Sequence, residues 1–356
     1  MPDRAASKAP GTRPLPPLPR ATPFSPGTQV RPGTPATGVW QGSPVSHENT
    51  LRVRPAAGDA DLVAIAAIAM ATGQDEDWDQ VYPAYLTHLV RHGSLLVAER
   101  AGVVTGYGAT IRIGTGEQEI CMLTDLFVDP SAHGAGTGRA ILSSLWHDEP
   151  RRITFSSLHA HALPLYTSFG LDAWWPLLYL SGDVGRLRTP EGWSVTTAAA
   201  SRVAELELSW TGFDRTAEHE FWVTWPGGAG VIASLDGRPV AAGSVGGAGS
   251  EYGICHLAMD AGDGAGRDAG AENRQDIGKQ TRSGAGTGPD AADAVIAVLS
   301  SLEPAGGQAR VCLPAPHPAI RRLLGAGWRV EEFDLHMATR FGLIDPRRAA
   351  LSPGLA

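Results

Sequence analysis

Short apolar runs alternate with longer, amphipathic segments between residues 48 and 185. The runs SLLVAER and VVTGYGATIRI predict strands, whereas DADLVAIAAIAMATG and VYPAYLTHLVRHG have apolar residues at helical spacing. Asp59 or Asp61 can cap the first helix, and Gly93 stands where the second would end. The full order is strand, two helices, three-stranded meander, helix, strand, helix and strand. This order predicts an α/β fold in which helices cover a mixed sheet.

The second half of the chain repeats this pattern in a weaker form. Three pairs of segments correspond, and they lie at Leu95 and Gly230, at Ile120 and Ile254, and around Gly170 and Gly327. The offset is 135 and 134 residues for the first two pairs and 157 for the third, so the second copy gains 23 residues between them. The gain coincides with the polar, Gly-rich segment 260–288, which has the composition of a disordered insertion. We infer a tandem duplication, with a first domain over 48–185 and a divergent second domain over 190–342.

Composition excludes several classes of protein. Residues 1–47 hold eleven prolines and predict a disordered, passive tail, and residues 343–356 predict a second tail. A net charge of −8 argues against nucleic acid as the partner, and no apolar run approaches the ~20 residues of a membrane helix. The three cysteines form no CxxC and no cluster has metal spacing, so we expect buried free thiols, no metal and a cytoplasmic location.

The stretch LTDLFVDPSAHGAGTGRAIL, from Leu123 to Leu142, places three glycines between a predicted strand and a predicted helix. It is not a dinucleotide fingerprint, because Arg139 and Ile141 stand where the last glycine of GxGxxG is needed. It is not a Walker A loop, because no lysine follows the glycines. Amides at the start of a helix can bind a phosphate, whereas the alternative is a tight turn with no ligand. The glycines alone leave both interpretations open.

Two motifs together resemble the GNAT superfamily of N-acetyltransferases. LFVDPSAHGAGTGRAIL resembles the acyl-CoA loop of that family, and ALPLYTSFGL resembles its second signature, with Tyr166 lying 30 residues after Gly136. The resemblance covers about residues 51–182, and a weaker form covers about 193–340. It implies tandem GNAT-like folds, with the second half packed on the first and with Leu323 in place of Tyr166. The one departure in the loop is His133, where the family usually has Arg or Gln.

The resemblance also implies which residues bind acetyl-CoA. The end of the strand would hold the pantetheine and the thioester carbonyl, and the amides of the loop, Ala135 to Arg139, would hold the pyrophosphate. His159 and His161 precede the Tyr166 helix, and either could contact CoA or relay a proton, although a lone histidine is more often structural. The residues so assigned are Leu126, Phe127, Val128, His133, Gly134, Ala135, Gly136, Thr137, Gly138, Arg139 and His159.

Tyr166 is the candidate general acid, which would donate a proton to the leaving sulfur; the alternative is a tyrosine that packs on the sheet with its hydroxyl in solvent. Asp125 is the candidate base, acting through a water, although an aspartate there could equally end the strand. Glu119 is a weaker candidate, and Met122 occupies the position where some relatives carry a glutamate.

The resemblance therefore predicts an acetyl-CoA-dependent N-acetyltransferase that acts on a primary amine of a small molecule or amino acid by direct attack. The alternative is a non-catalytic acyl-CoA-binding or protein-interaction module. The acidic loop over 75–79 could attract a cationic amine, although a solvated loop is the simpler interpretation. We expect neither nucleic acid nor membrane as a partner, and the oligomeric state is left open.

Overall fold

The computed structural model describes residues 50–73, 82–247, 252–260, 290–303 and 307–355 of the chain. Three predicted features lie outside these ranges: the tail over 1–47, the acidic loop over 75–79 and, apart from Asp260, the insertion over 260–288. The described residues belong to one compact unit.

The described residues form thirteen strands and eight α-helices in an order close to the predicted one. The strands are β1 Arg52–Pro55, β2 Gly93–Arg100, β3 Val103–Ile113, β4 Ile120–Val128, β5 Arg152–Ser156, β6 Asp172–Asp183, β7 Trp193–Ala198, β8 Ala229–Leu235, β9 Arg238–Gly246, β10 Gly253–Met259, β11 Gln308–Pro314, β12 Arg329–Ala338 and β13 Ala349–Ala350. The helices are α1 Gly58–Ala71, α2 Tyr82–His92, α3 Thr137–Leu145, α4 Ala162–Ser168, α5 Ala200–Thr211, α6 Thr216–Trp222, α7 Ala291–Ser300 and α8 Ala319–Gly325.

The two halves of the chain share one sheet and exchange their last strands. The order is β1-β2-β3-β4-β5-β12-β6-β11-β10-β9-β8-β7, with β13 paired to β10. Each half contributes an antiparallel meander followed by a parallel pair, β4 with β5 and β10 with β11. The sixth strand of each half then lies beside the fifth strand of the other half. The mixed α/β fold predicted from the sequence is confirmed; the boundaries proposed at 185 and 190 stay predictions, since the sheet crosses them without interruption.

A β-bulge in β4 changes which face of the sheet its side chains occupy. Before the bulge, Cys121 and Leu123 pack in the cluster under α3, while Met122 faces the cluster under α1 and α2. Ala109 of β3 then pairs with Asp125, whereas Thr110 pairs with Leu123, so one residue of β4 is extra. Because side chains alternate along a strand, the extra residue turns Asp125 toward the α2 face.

Helix α3 lies unusually close to β3 because two glycines face it. A Cβ at Gly108 would lie 2.7 Å from Ile141 Cγ2, and one at Gly106 would lie 2.9 Å from Thr137 Cγ2. Each distance is shorter than side chains tolerate, so larger residues here would push the helix away from the sheet. The glycines of β3 therefore fix the position of the loop that precedes α3.

The helix α1 begins differently from the prediction. Its N-cap is Ala57, whose side chain cannot cap, and Asp59 makes no capping hydrogen bond. Asp61 instead reaches back from within the helix and accepts the Ala57 N–H at 2.7 Å, while Arg54 also donates to it. The N-cap is thus Ala57 and not an aspartate, because the helix begins at Gly58, one residue before Asp59. Of the two predicted capping residues, Asp61 does bind the N-terminus of the helix, through the Ala57 N–H.

The second half has its own core, and the last described residues join the molecule firmly. Trp328 packs so closely over Gly182 that a Cβ there would lie 2.3 Å from the indole Cγ.

The predicted tail over 343–356 packs inward along its described part, with Leu343, Ile344 and Leu351 buried. Of the three cysteines, Cys121 and Cys255 are buried and Cys312 is partly buried, and all are free thiols as expected.

A charged cluster holds α5, α6 and β10 together within the second half. Glu207 accepts hydrogen bonds from Arg215 Nε at 3.0 Å and contacts Nε2 of His219 at 2.8 Å and of His256 at 2.9 Å. Burial by itself would raise the pKa of Glu207, but its three basic partners hold it well below its ordinary value. His219 also contacts Ser244 Oγ at 2.8 Å, and both residues are fully buried. A substrate cannot reach this Ser–His–Glu line, so its role is structural.

Candidate active site

A cavity opens where β4 and β5 separate. The two strands pair only from Cys121 to Leu123, and β4 then continues to Val128 without β5 beside it. The gap leads into a cavity of about 1010 Å³. Its walls come from β4 beyond the bulge, from α2 and α4, from β12 and from residues 352–355. The separation of β4 from β5 thus creates a slot in a sheet whose neighbouring strands are otherwise paired.

The glycine stretch forms the tight turn that the sequence predicted. Gly134 and Gly136 have φ values of 76° and 83°, which favour glycine, and Gly136 is the N-cap of α3. The first helical hydrogen bond runs from Ala140 N–H to Gly136 O, so the amides of the first turn of α3 stand outside the helical ladder. A Cβ on either glycine would meet nothing within 4 Å, so the turn is open on its outer side. The geometry suits an anion bound to these amides.

Not every residue of the loop is equally available to a ligand. Ala135 donates its N–H to Ala132 O at 3.3 Å, and its carbonyl accepts from Arg100 Nη2 at 3.3 Å. The Arg139 side chain turns toward α4, where it donates to Ser168 Oγ at 2.9 Å. The amides at the helix start, rather than that of Ala135, are therefore the better donors for a phosphate.

Three histidines cluster at the loop end of the cavity. His133 Nε2 lies 3.0 Å from Val128 O, which ties the loop to the end of β4. Its ring lies 6.0 Å from the rings of His159 and His161, and all three are exposed. His133 and His159 line the cavity. The sequence placed His133 and His159 beside the same ligand, and the structure brings them together.

Asp125 lies inside the cavity on the α2 side and is 8% exposed. Its Oδ2 accepts hydrogen bonds from Tyr85 Oη at 2.6 Å and from Thr124 Oγ1 at 2.8 Å. Burial raises the pKa of Asp125 above its ordinary value, and the two hydroxyl donors oppose part of that rise. A carboxylate that is more basic than usual, held in a fixed position, is suited to accept a proton.

Tyr166 lies on α4 and faces the same cavity, with 6% of its surface exposed. Burial raises its pKa well above 10, and the negative charges of Asp125 and Asp334 raise it further. The hydroxyl therefore keeps its proton at neutral pH and can donate it. The alternative of a hydroxyl in open solvent does not describe this environment, although the role of Tyr166 in catalysis stays a prediction.

The second half supplies the wall opposite Asp125. Asp334 of β12 accepts a short hydrogen bond from Tyr179 Oη of β6, and Glu332 and Trp225 line the cavity near it. Residues 352–355 close another side, and Gly354 O lies 3.4 Å from Tyr85 Oη. One cavity thus combines residues that are more than 150 positions apart in sequence, as Tyr179 and Asp334 are 155 apart.

The weaker candidates do not reach the cavity. Glu119 pairs with Arg112 on the surface, and Met122 is buried in the core. Leu323, which aligns with Tyr166 in the repeat, is buried in the core of the second half. The loop of the second half that would correspond to the glycine stretch lies mostly outside the described residues.

Sequence reasoning did not identify Tyr85, Tyr179 and Asp334. Tyr82 and Tyr85 are three residues apart on a predicted helix, so a polar-tipped aromatic pair on one face was a usable signal. No such signal marks Asp334, since its place in the cavity depends on the exchange of β12 between the halves.

Comparison with known proteins supports this description of the fold. Residues 91–170 match the family described as acetyltransferase (GNAT) domain, a segment that contains both the glycine loop and Tyr166. No curated protein sequence matches the chain. The predicted resemblance is confirmed for residues 91–170, which match a GNAT domain, and such a domain supports acyl transfer in general terms.

Solved structures extend the likeness to both halves. A putative acetyltransferase from Pyrococcus horikoshii is 12% identical, with a TM-score of 0.59 over 90% of this chain and 99% of that one. A GCN5-related N-acetyltransferase from Anabaena variabilis is 10% identical, with a TM-score of 0.54 over 84% and 75% of the two chains. One from Kribbella flavida is 14% identical, with a TM-score of 0.50 over 82% and 71%. At these identities the likeness concerns the fold.

Two kinds of feature are absent from the part of the chain that the structure describes. None of the helices that the structure describes has the length and apolar character needed to cross a membrane. In the same residues, no group of three or more His, Cys, Asp and Glu side chains is placed to hold a metal ion.

Proposed function

We propose that this protein is an acetyl-CoA-dependent N-acetyltransferase that acetylates a primary amine of a small molecule by direct attack. One observation carries the proposal: Asp125 and Tyr166, a more basic carboxylate and a protonated phenol, face one cavity beside the glycine loop. The amides at the start of α3 would hold the pyrophosphate, and the open edge of β4 from Leu126 to Val128 would hold the pantetheine and the thioester carbonyl.

The chemistry follows from these positions. An amine with a pKa near ~10 reaches the cavity as an ammonium ion, and it must lose a proton before it can attack. Asp125 accepts that proton, directly or through a water, and the amine nitrogen forms a bond to the acetyl carbon. The C–S bond breaks, and the sulfur takes the proton of Tyr166. The attacking nitrogen loses a second proton as the amide forms, and this proton restores Tyr166, directly or through a water. Asp125 releases its proton to solvent, so the net products are the amide, the free thiol of CoA and one proton.

The test combines calorimetry with acetyl-CoA and an assay of thiol release over a panel of amines. For Tyr166→Phe we expect kcat to fall by a factor of about 100 or more, with the Kd of acetyl-CoA unchanged, because only the proton donor is lost. Tyr252→Phe, in the second half, is the matched control and should leave both values unchanged. For Asp125→Asn we expect kcat/KM to fall and its acidic limb to disappear; in the wild type that limb lies above the ordinary pKa of aspartate.

The outcomes separate the proposal from its alternative. A chain that does not bind acetyl-CoA overturns the proposal and the alternative together. Binding without turnover of any amine, and without an effect of Tyr166→Phe, favours a non-catalytic acyl-CoA-binding module.

A further inference from the structure

The far wall of the cavity is acidic and is built by the second half of the chain. Strand β12 enters the first half between β5 and β6, where Leu335 pairs with Ser156 and Asp334 pairs with Leu177. The exchange places Glu332 and Asp334 at the cavity. Without β12, this wall would contain no carboxylate, since β5 and β6 contribute no acidic side chain to the lining among the described residues.

Asp334 is held in place rather than left to rotate. Tyr179 Oη donates to its Oδ2, and the carboxylate is half-buried. Burial raises the pKa of Asp334, the Tyr179 hydroxyl opposes that rise and the charge of Glu332 adds to it. A partly desolvated carboxylate beside a second one stabilises a cation strongly. The positive charge offsets the desolvation cost of the carboxylate and the repulsion between the two negative charges.

The charge balance of the cavity indicates the sign of its occupant. Asp125, Glu332 and Asp334 line it, and among the described lining residues the only basic side chains are His133 and His159, at the loop end. The described lining also holds seven tyrosine, phenylalanine and tryptophan rings, which are Tyr82, Tyr85, Phe127, Phe155, Tyr166, Tyr179 and Trp225. Carboxylates with aromatic faces bind organic ammonium groups. A carboxylate on the ligand would instead be repelled, and no arginine or lysine among the described lining residues would offset that repulsion.

We propose that the acceptor is a small organic cation that carries a second positive group besides the reacting amine and has no carboxylate, and that Asp334 binds this second group. The inference rests on the proposed function and narrows its substrate. Asp125 serves the reacting amine, Asp334 positions the other end, and the second half of the chain is thereby a part of the acceptor site. An amino acid is a poor acceptor on this view, because its carboxylate would lie among three others.

The test compares acceptors that differ by one charged group. Linear α,ω-diamines of three to six carbons are assayed against monoamines of the same length; putrescine is compared with ornithine, and cadaverine with lysine. We expect kcat/KM for the best diamine to exceed that of both analogues by about tenfold or more. Asp334→Asn should remove most of the preference over the monoamine, and Tyr179→Phe should remove part of it. Glu331→Gln, on the same strand but bonded to Ser181 outside the cavity, is the control and should keep the preference.

Each outcome bears on a different proposal. Failure to bind acetyl-CoA, or failure to release thiol with every amine, overturns the proposed function. Thiol release with monoamines or amino acids as efficient as with diamines overturns the present inference and leaves the proposed function standing. Calorimetric titration of the CoA-bound protein with the same diamines and monoamines measures the preference without turnover, so equal affinities there also overturn the inference. Thermal melts of all variants separate a lost contact from a lost fold.

Discussion

At the scale of single residues, the molecule uses burial to set the protonation of its side chains. Burial raises the pKa of both Asp125 and Tyr166, which makes the carboxylate a stronger base and keeps the phenol protonated at neutral pH. Burial has the opposite effect on histidine, since it disfavours the charged form. His317 and His336 are almost fully buried, and burial lowers their pKa values to about 4 and about 3.

These histidines predict a loss of stability in weak acid. The unfolded chain binds protons at a pKa near 6.5, whereas the folded chain keeps both rings neutral until much lower pH. A depressed folded pKa therefore contributes stability above pH 6.5, and that contribution is lost as the pH falls toward the folded value. Each histidine should cost about 2 kcal/mol between pH 7.5 and pH 5.

His336→Phe tests this expectation, because phenylalanine keeps the stack on Trp175, whose ring lies 4.1 Å away, and cannot titrate. Urea unfolding at pH 7.5 and pH 5 should show that the variant loses about 2 kcal/mol less than the wild type. Asp125 and Asp334, whose raised pKa values act in the opposite sense, are common to both proteins and cancel. His147→Gln, at an exposed site, is the control. Equal losses in wild type and His336→Phe would contradict the account.

At the scale of elements, the turn before α3 is defined by backbone conformation more than by side chains. Gly136 caps the helix with φ at 83°, and an L-residue in this region costs about 1 kcal/mol. Thr137, the next residue, packs its methyl group against Gly106 of β3. The turn is thus fixed from both sides, and a shift of Gly136 would move the amides that we propose bind the phosphate.

Gly136→Ala should therefore weaken acetyl-CoA binding by about tenfold or more, as well as lowering stability by about 1 kcal/mol. Gly237→Ala provides a matched control, because Gly237 has φ at 80°, meets nothing within 4 Å of an added Cβ, and lies in the β8–β9 turn of the second half. We expect the control to lose similar stability and to bind acetyl-CoA normally. Calorimetry and urea unfolding of both variants give the two quantities, and equal affinities would show that the turn does not hold the ligand.

Prediction from sequence succeeded for local elements such as this turn. The apolar periods, the turn glycines and the two motifs predicted the strands, the helices and the loop, since each depends on residues close in sequence. The bulge in β4 was not predicted, although it decides that Asp125 faces α2. A bulge depends on how two strands pair with each other, and the sequence of a single strand does not reveal that pairing.

At the scale of the whole molecule, the exchange of β6 and β12 explains why the sequence did not predict every residue that lines the cavity. The repeat offsets indicated two copies of one fold, but nothing in either copy indicates that the sixth strand crosses to the other. As a result, the sequence did not indicate that Asp334 and Tyr179 line the cavity, whereas it did single out Asp125 and Tyr166, which line it too. The exchange also makes the halves dependent on each other, since β12 separates β5 from β6 throughout.

The dependence can be tested by dividing the chain between Arg188 and Thr189, in the connection that joins β6 to β7. Alone, residues 1–188 would expose the edge of β5 and both edges of β6, which β12 and β11 cover in the whole chain. Unpaired edges favour aggregation, so we expect each fragment to aggregate when expressed alone.

Expressed together, the fragments should elute as one complex and regain thiol release with the amine that serves the intact protein. A more stringent test divides the chain at the same place and adds Gly182→Val to the first fragment. The new side chain would clash with Trp328 of the second fragment and should prevent assembly. A first fragment that is monomeric, folded and fully active by itself would show that the second half is not needed for the sheet or for the acceptor site. Activity that appears only in the complex would show instead that the molecule has one active site, to which both halves contribute.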